Sequence, residues 1–177
     1  KSAGKAGWNI ARVVTLEDMI EYLECLIEKT QATKVVFTSQ ASVRALDLDK
    51  VFSQLQIEFT EVNDTGDISS TNLREKAIQA DIGITGVEFA ISETGTCVLT
   101  AGSDTGRLVG LAPPVHVAIV TKGQVLESLD DLFAIRKSQK IEGRFPAYSN
   151  LISGPSRSAD IEYTLVTGVH GPGEVHM

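Results

Sequence analysis

Three polar, glycine-bearing segments carry residue types able to do chemistry. The first is Thr85-Gly86-Val87-Glu88 followed, after Phe89-Ala90-Ile91, by Ser92-Glu93-Thr94-Gly95-Thr96. Glycines at strand ends permit close backbone approach, and free amides there hold an anion. Glu88 and Glu93 are the candidate catalytic carboxylates, suited to acid–base or nucleophilic work once desolvated. Left in water, the same glutamates are the solvated corner of a hairpin, the commoner fate of a glutamate.

The second segment, Gly102-Ser103-Asp104-Thr105-Gly106-Arg107, lacks the spacing and the Lys-Ser/Thr of a phosphate-binding P-loop. Its Arg107 is either a fork for a carboxylate or phosphate, or a surface ion pair. The third runs from Ser153 to Glu162. It reads as a Gly154-Pro155 turn opening a helix, with amides and Arg157 facing whatever lies in front. The alternative is a plain N-cap with an Arg157–Asp160 or Arg157–Glu162 surface pair. The candidate ligand-binding residues are therefore Thr94, Gly95, Thr96, Arg107, Gly154, Ser156 and Arg157, with His170 of the irregular Gly168–Gly173 segment. His116, inside an apolar run, is either a satisfied core histidine or a catalytic one. The three histidines share no zinc-ligand spacing, so no metal is expected. Neither a Gly-x-Gly-x-x-Gly after the first strand nor a Gly-x-Ser-x-Gly elbow is present.

The elements that must hold these residues are readable from periodicity. Thr15 caps a helix whose Leu16, Met19, Ile20, Leu23, Leu26 and Ile27 form one stripe. Lys34–Thr38 has the length and branched content of a buried strand. A helical stretch from Ser42 to Leu55, a strand over Ile57–Val62, a turn at Asn63–Asp67, a helix from Thr71 to Gln79 and a strand over Ala80–Thr85 follow. This alternation predicts an α/β domain with a mainly parallel sheet. Beyond it, Glu88–Ile91 and Thr96–Thr100 flank Ser92–Gly95 as a hairpin or tight corner. Val115–Val120 is a further strand, Ser128–Asp131 a capping box opening a helix towards Gln139, and Asn150–Ser153 a last interior strand. Residues 1–14 read as irregular. One three-layer domain over residues 1–177 is the expected organisation.

Composition narrows the function. Asp and Glu total 23 against 16 Lys and Arg, a net charge of −7, and no basic run supplies a nucleic-acid footprint. Cys25 and Cys97 are too few for the four thiolates of an iron–sulfur cluster or for a disulfide scaffold, and read as reduced thiols. No stretch approaches the roughly 20 apolar residues of a membrane span, and Lys1–Lys5 precedes no secretory apolar core. A cytoplasmic location is expected. The chain opens on Lys and stops where a strand begins, so either end is expected to be incomplete.

Four motifs occur in order: Asp81-Ile-Gly-Ile-Thr-Gly86, Ala90-Ile-Ser-Glu-Thr-Gly-Thr96, Leu151-Ile-Ser-Gly-Pro-Ser-Arg157-Ser-Ala-Asp-Ile-Glu162 and Leu165-Val-Thr-Gly-Val-His-Gly-Pro172. Together they resemble the lactate utilization protein C family, the LUD-domain proteins of bacterial lactate utilization operons. The resemblance implies the α/β fold shared by ribose-5-phosphate isomerase, glucosamine-6-phosphate deaminase and CoA-transferases. Asp81–Glu88 is similar to the isomerase segment in which an acid ends an Asp-Gly-Ala-Asp run, with Thr85 in place of its first acid. Ser92-Glu93-Thr94-Gly95 is similar to the Ser-Glu-Asn-Gly of CoA-transferases, whose Glu is the nucleophile, with Thr94 in place of Asn.

The family also implies a part in converting L-lactate to pyruvate, beside iron–sulfur partner proteins, with no cluster or other cofactor on this chain. The leading expectation is a component that holds a small organic anion at the loops following its strands. Arg107 and Arg157 would take the carboxylate and amides near Gly95 and Gly154 would complete the cradle. The rivals are a stand-alone isomerase or CoA-transferase-like enzyme using Glu93 or Glu88, and a non-catalytic assembly subunit. The leading expectation needs the Ser92–Thr96 corner and the Ser153–Arg157 turn to build one electropositive nook.

Overall fold

The structure, a computed structural model, describes residues 1–62, 70–100, 104–146, 148–161 and 164–177. The turn expected at Asn63–Asp67 lies outside the described residues, as do Gly102, Ser103 and Glu162. In chain order the first half runs α1 (Ser2–Ala6), α2 (Leu16–Thr30), β1 (Lys34–Thr38), α3 (Ala41–Arg44), α4 (Leu48–Gln54), β2 (Glu58–Val62), α5 (Ser70–Gln79) and β3 (Ile82–Gly86). The second half adds β4 (Phe89–Ile91), β5 (Thr96–Leu99), α6 (Asp104–Val109), β6 (Val115–Ile119), β7 (Val125–Leu126) and α7 (Leu129–Ile141). It closes with β8 (Asn150–Ile152), β9 (Arg157–Ile161), β10 (Thr164–Thr167) and β11 (Glu174–His176).

Local chemistry sets the helix starts. The Thr15 hydroxyl accepts the Asp18 N–H at 3.1 Å while Asp18 Oδ2 accepts the Thr15 N–H at 3.0 Å. That reciprocal pair satisfies two of the donors a helix start leaves bare, and Ser128 with Asp131 repeats it for α7. The helical stretch expected over 42–55 is instead two helices, because Asp47 takes a left-handed conformation (φ 47°) between them.

β1, β2, β3, β6 and β11 pair in parallel in the order β11-β6-β3-β1-β2. The chain steps from β1 to β2 on one side, then crosses back past β1 to β3. Right-handed connections running in opposite directions must lie on opposite faces. Accordingly α2, α3 and α4 pack on Val35, Phe37, Ile82, Ile84, Val115 and Val117. On the other face, Leu73 of α5 and Val109 of α6 pack on Val36 and Val62. A smaller sheet, β7-β4-β5-β8, shares that second face, with Cys97 and Leu99 meeting Ala118 and Val175. The domain is thus α/β, with a parallel central sheet flanked by helices on both faces, as the alternation predicted.

Three further expectations change. Residues 1–14 are not wholly irregular: α1 forms, Trp8 is 4% exposed, and the Asn9 N–H bonds to the Val175 carbonyl at 2.9 Å. Ala3, Ala6 and Trp8 complete an apolar cluster that would otherwise face water. β8 is an edge strand of the smaller sheet rather than an interior one. The segment after Gly154-Pro155 is not a helix: β9 runs antiparallel to β10. Its start is fixed by distant partners, the Ser156 N–H on the Pro172 carbonyl at 2.8 Å and the Gly168 N–H on the Ser156 carbonyl at 3.0 Å.

Candidate functional site

The hairpin of β4 and β5 divides the expected site residues between its two ends. At the turn, Glu93 is exposed and its N–H bonds to the Glu127 carbonyl at 3.0 Å. The Thr94 and Thr96 hydroxyls lie 2.6 Å apart, and the Thr96 hydroxyl is 2.7 Å from that of Ser153. The Ser92–Thr96 corner and the Ser153–Arg157 turn therefore do meet. What fills the space between them is α1. A Cβ on Gly95 would stand 2.4 Å from the Ala3 Cα, and one on Gly154 (φ 97°) would stand 2.0 Å from the Ala6 carbonyl oxygen. Arg157 Nη2 donates to that same carbonyl at 2.8 Å, satisfying the end of α1. Ser156 is held by the Gly168–Gly173 loop, on which His170 is exposed. The Glu93, Gly95 and Ser156 amides and Arg157, expected to help cradle an anion here, are engaged by the chain itself.

Arg107 and Glu88 lie at the other end of the hairpin, on the order of 10 Å away at about 3.3 Å per strand residue. The single nook splits in two: among the described residues, the crevice that Arg107 lines does not include Glu93. Glu88 is not available either. Arg136 grips both its oxygens, Nη1 at 2.9 Å and Nη2 at 2.7 Å, and the Thr100 hydroxyl and Gln139 amide add to the grip. Burial pushes the Glu88 carboxyl up, but these bonds outweigh it and hold the group below the ordinary range. It is a locked anion, and through Thr100 and Ser149, which accepts from Arg136 at 3.0 Å, it braces the wall beside it.

That wall belongs to a crevice lined by Thr38, Gln40, Thr85, Leu99, Thr100, Gly106, Arg107, Tyr148 and Asn150. Its position has a topological cause. Between β1 and β3 the winding direction reverses, so the loops leaving the two carboxyl ends diverge to opposite faces and leave a gap, where open α/β sheets bind ligands. Arg107 stacks on Tyr148 with its guanidinium carbon 3.9 Å from the ring centroid, which roofs the gap. As it stands the crevice holds about 10 Å³ of solvent-accessible space, room for about one water. Arg107 and Tyr148 are both half-buried.

Below the crevice the Gly86 N–H donates to Gln40 Oε1 at 2.9 Å, and the Thr38 hydroxyl donates to the same oxygen. Thr85 Oγ1 lies 2.8 Å from His116 Nε2. Burial drives the His116 pKa down to about 4, with His176 contributing, so the ring is neutral at pH 7. Its Nδ1 is one of two buried side-chain polar atoms with no partner among the described residues, the other being Ser42 Oγ. His116 is thus a core histidine satisfied on one side, and that side faces a crevice residue.

Among the described residues no three His, Cys, Asp or Glu side chains converge to hold a metal ion. Cys25 is exposed, whereas Cys97 is buried and its thiol is pushed up to about 12, too high for a nucleophile. No helix of the described residues is long and apolar enough to cross a membrane. Thr38, Gln40, Tyr148 and Asn150 were not among the residues singled out from sequence. The available signal was positional: Thr38 ends and Gln40 follows the first predicted strand, and Thr85 ends the third.

A doubly wound α/β domain with a polar crevice at its winding reversal is the class that fold and site define. The LUD domain family model matches residues 1–177, and the chain belongs to the LUD domain family. It is 44% identical over 121 residues to lactate utilization protein C of Halalkalibacterium halodurans, a match covering 68% of this chain and 52% of the relative. With lactate utilization protein C of Bacillus subtilis it shares 43% over 99 residues, 55% of this chain and 41% of that protein. Lactate utilization protein C 1 of Bacillus mycoides is 33% identical over 159 residues, covering 89% and 67% respectively. The chain thus spans about half the length of the first curated relatives it matches. A crystal structure of a DUF162 family protein from Deinococcus radiodurans aligns with a TM-score of 0.40 and 21% identity, over 93% of this chain and 97% of that one.

Proposed function

We propose that this chain takes part in lactate utilization in the cytoplasm, holding a small organic anion at the crevice between β1 and β3. It acts beside iron–sulfur partner proteins and carries no cluster itself. The role is supported by relatives named lactate utilization protein C. The observation that carries the site is the crevice at the winding reversal, where Arg107 joins the Thr85 hydroxyl and the amides of Gln40 and Asn150. A guanidinium with neutral donors suits a carboxylate. Two cysteines in the chain fall short of the four thiolates a cluster requires.

Calorimetric titration of the purified chain with L-lactate and pyruvate tests the site. Saturable binding that weakens at least about tenfold on Arg107→Leu is expected, the size of one lost charge-assisted contact. No heat from either acid sinks the reading. Deleting the gene should abolish growth on L-lactate while sparing growth on pyruvate. An isomerase or CoA-transferase chemistry is not favoured, since Glu93 is solvated outside the crevice and Glu88 is locked to Arg136. Incubation with acyl-CoA followed by hydroxylamine should accordingly leave Glu93 unmodified.

A further inference from the structure

We propose that Tyr22 is a nucleophilic modification site, a phenol that takes an acyl group from an activated ester or thioester while His176 removes its proton. The site lies where α2 meets β11, and none of its residues lines the crevice.

Three side chains stand in line. The Tyr22 hydroxyl is 2.7 Å from His176 Nδ1, and His176 Nε2 is 3.0 Å from Glu174 Oε1. Glu174 and His176 are alternate residues of β11 and so project to the same side of the strand. Two turns beyond Tyr22 on α2, the Lys29 ammonium lies 2.7 Å from that same Glu174 oxygen. Lys29 above all, with His176, holds the Glu174 carboxyl below its ordinary range, so it stays ionised and can only accept. His176 Nε2 therefore carries a hydrogen. Burial lowers the His176 ring and outweighs the pull of Glu174, which leaves it neutral at pH 7. A neutral ring has one hydrogen, so Nδ1 is bare and the Tyr22 hydroxyl donates to it.

A hydroxyl bonded to a base that a carboxylate orients is the arrangement that activates a nucleophile. Burial raises the Tyr22 phenol above its ordinary value, so little of it is phenolate at neutral pH and attack depends on the base. In the step, the Tyr22 oxygen bonds to the acyl carbon, its proton passes to His176 Nδ1, and the ester or thioester bond breaks. The departing alkoxide or thiolate takes the proton back from the imidazolium, whose charge Glu174 stabilises meanwhile. Tyr22 is only half-buried and keeps surface open to a donor. Tyr148 stacks on Arg107 instead and has no base at its hydroxyl among the described residues.

The test incubates the purified chain with p-nitrophenyl acetate and follows acetylation of Tyr22, Tyr148 and Tyr163 by peptide mass spectrometry. Tyr22 should react at least about tenfold faster than the other two, a modest yield for a positioned base. His176→Gln should slow Tyr22 at least about tenfold and leave Tyr148 and Tyr163 unchanged, which separates a lost base from a lost fold. A rate change shared by all three tyrosines marks misfolding and passes the decision to Glu174→Gln, at a half-buried position. That variant should slow Tyr22 at least about threefold, because an amide no longer fixes the ring hydrogen on Nε2. A network that merely braced α2 against β11 would leave Tyr22 no more reactive than the other phenols. That result, or a Tyr22 rate untouched by the deciding variant, overturns the inference and leaves the crevice reading intact.

Discussion

Glu88 shows how far a residue's role depends on its partner. In the sequence it is a carboxylate two positions after Gly86; in the fold it is one half of a bidentate pair whose Arg136 side chain is 8% exposed. Removing one member of such a pair strands a charge with few contacts to water. Arg136→Met should destabilise the domain by about 2–4 kcal/mol in urea unfolding. Pairing it with Glu88→Leu should recover a large part of that loss, because the stranded charge is gone. A double variant no better than the single one would mean that packing of the arginine stem, not its charge, is what matters. Nothing local marked Arg136. It falls within the helix read from the Ser128 capping box, but charged helix residues are exposed by default, and burial came from Glu88 arriving 48 residues away.

Elements with both ends signalled locally formed where expected. β1 spans Lys34–Thr38 and α2 follows its capping box. The elements that moved were those settled by a remote partner. α1 exists because Ala3, Ala6 and Trp8 fill a gap beside the smaller sheet, with the indole N–H on the Gly95 carbonyl at 2.9 Å. Trp8→Ala should therefore cost about 3–4 kcal/mol, within the range for deleting a buried aromatic. Peptides from residues 1–8 should be cleaved first when that variant is digested, since α1 has lost its anchor. Ser128→Ala, which removes a cap and leaves packing alone, should cost only about 1 kcal/mol by the same unfolding measurement. β9 is the counter-example to local reading. A Gly-Pro turn favours a helix start by a few tenths of a kcal/mol, and a paired strand contributes several hydrogen bonds.

For the molecule as a whole, two buried histidines set the acid limit. His116 takes up a proton at about 4 in the folded state against 6.5 when unfolded, and burial lowers His176 too despite Glu174 pulling the other way. Between those values the unfolded chain binds more protons, so folding weakens as pH falls. The contribution of His116 is intact above pH 6.5, declines through pH 5 and levels off near 4. Its full size is on the order of 3 kcal/mol. Urea midpoints at pH 7.0, 5.5 and 4.5 should fall in that order, and His116→Gln should flatten the decline. An unchanged slope in that variant would assign the effect to His176. Glu88 acts lower down, since its depressed carboxyl favours folding above the ordinary carboxylate range and loses that effect as pH drops below it.

Periodicity, capping pairs and strand composition act between residues a few positions apart, and they were enough to settle the α/β class, the order of most elements and the hairpin around Ser92–Gly95. The crevice proposed to hold the anion draws on Thr38, Thr85, Thr100, Arg107 and Tyr148, more than a hundred positions from end to end. Which of these meet follows from the strand order, and the strand order follows from how the apolar faces of the central sheet are covered. Such choices are decided by burial and by hydrogen-bond partners summed over the whole fold. No window of sequence contains them, and so only the tertiary structure shows that the proposed crevice lies at the end of the hairpin opposite its turn.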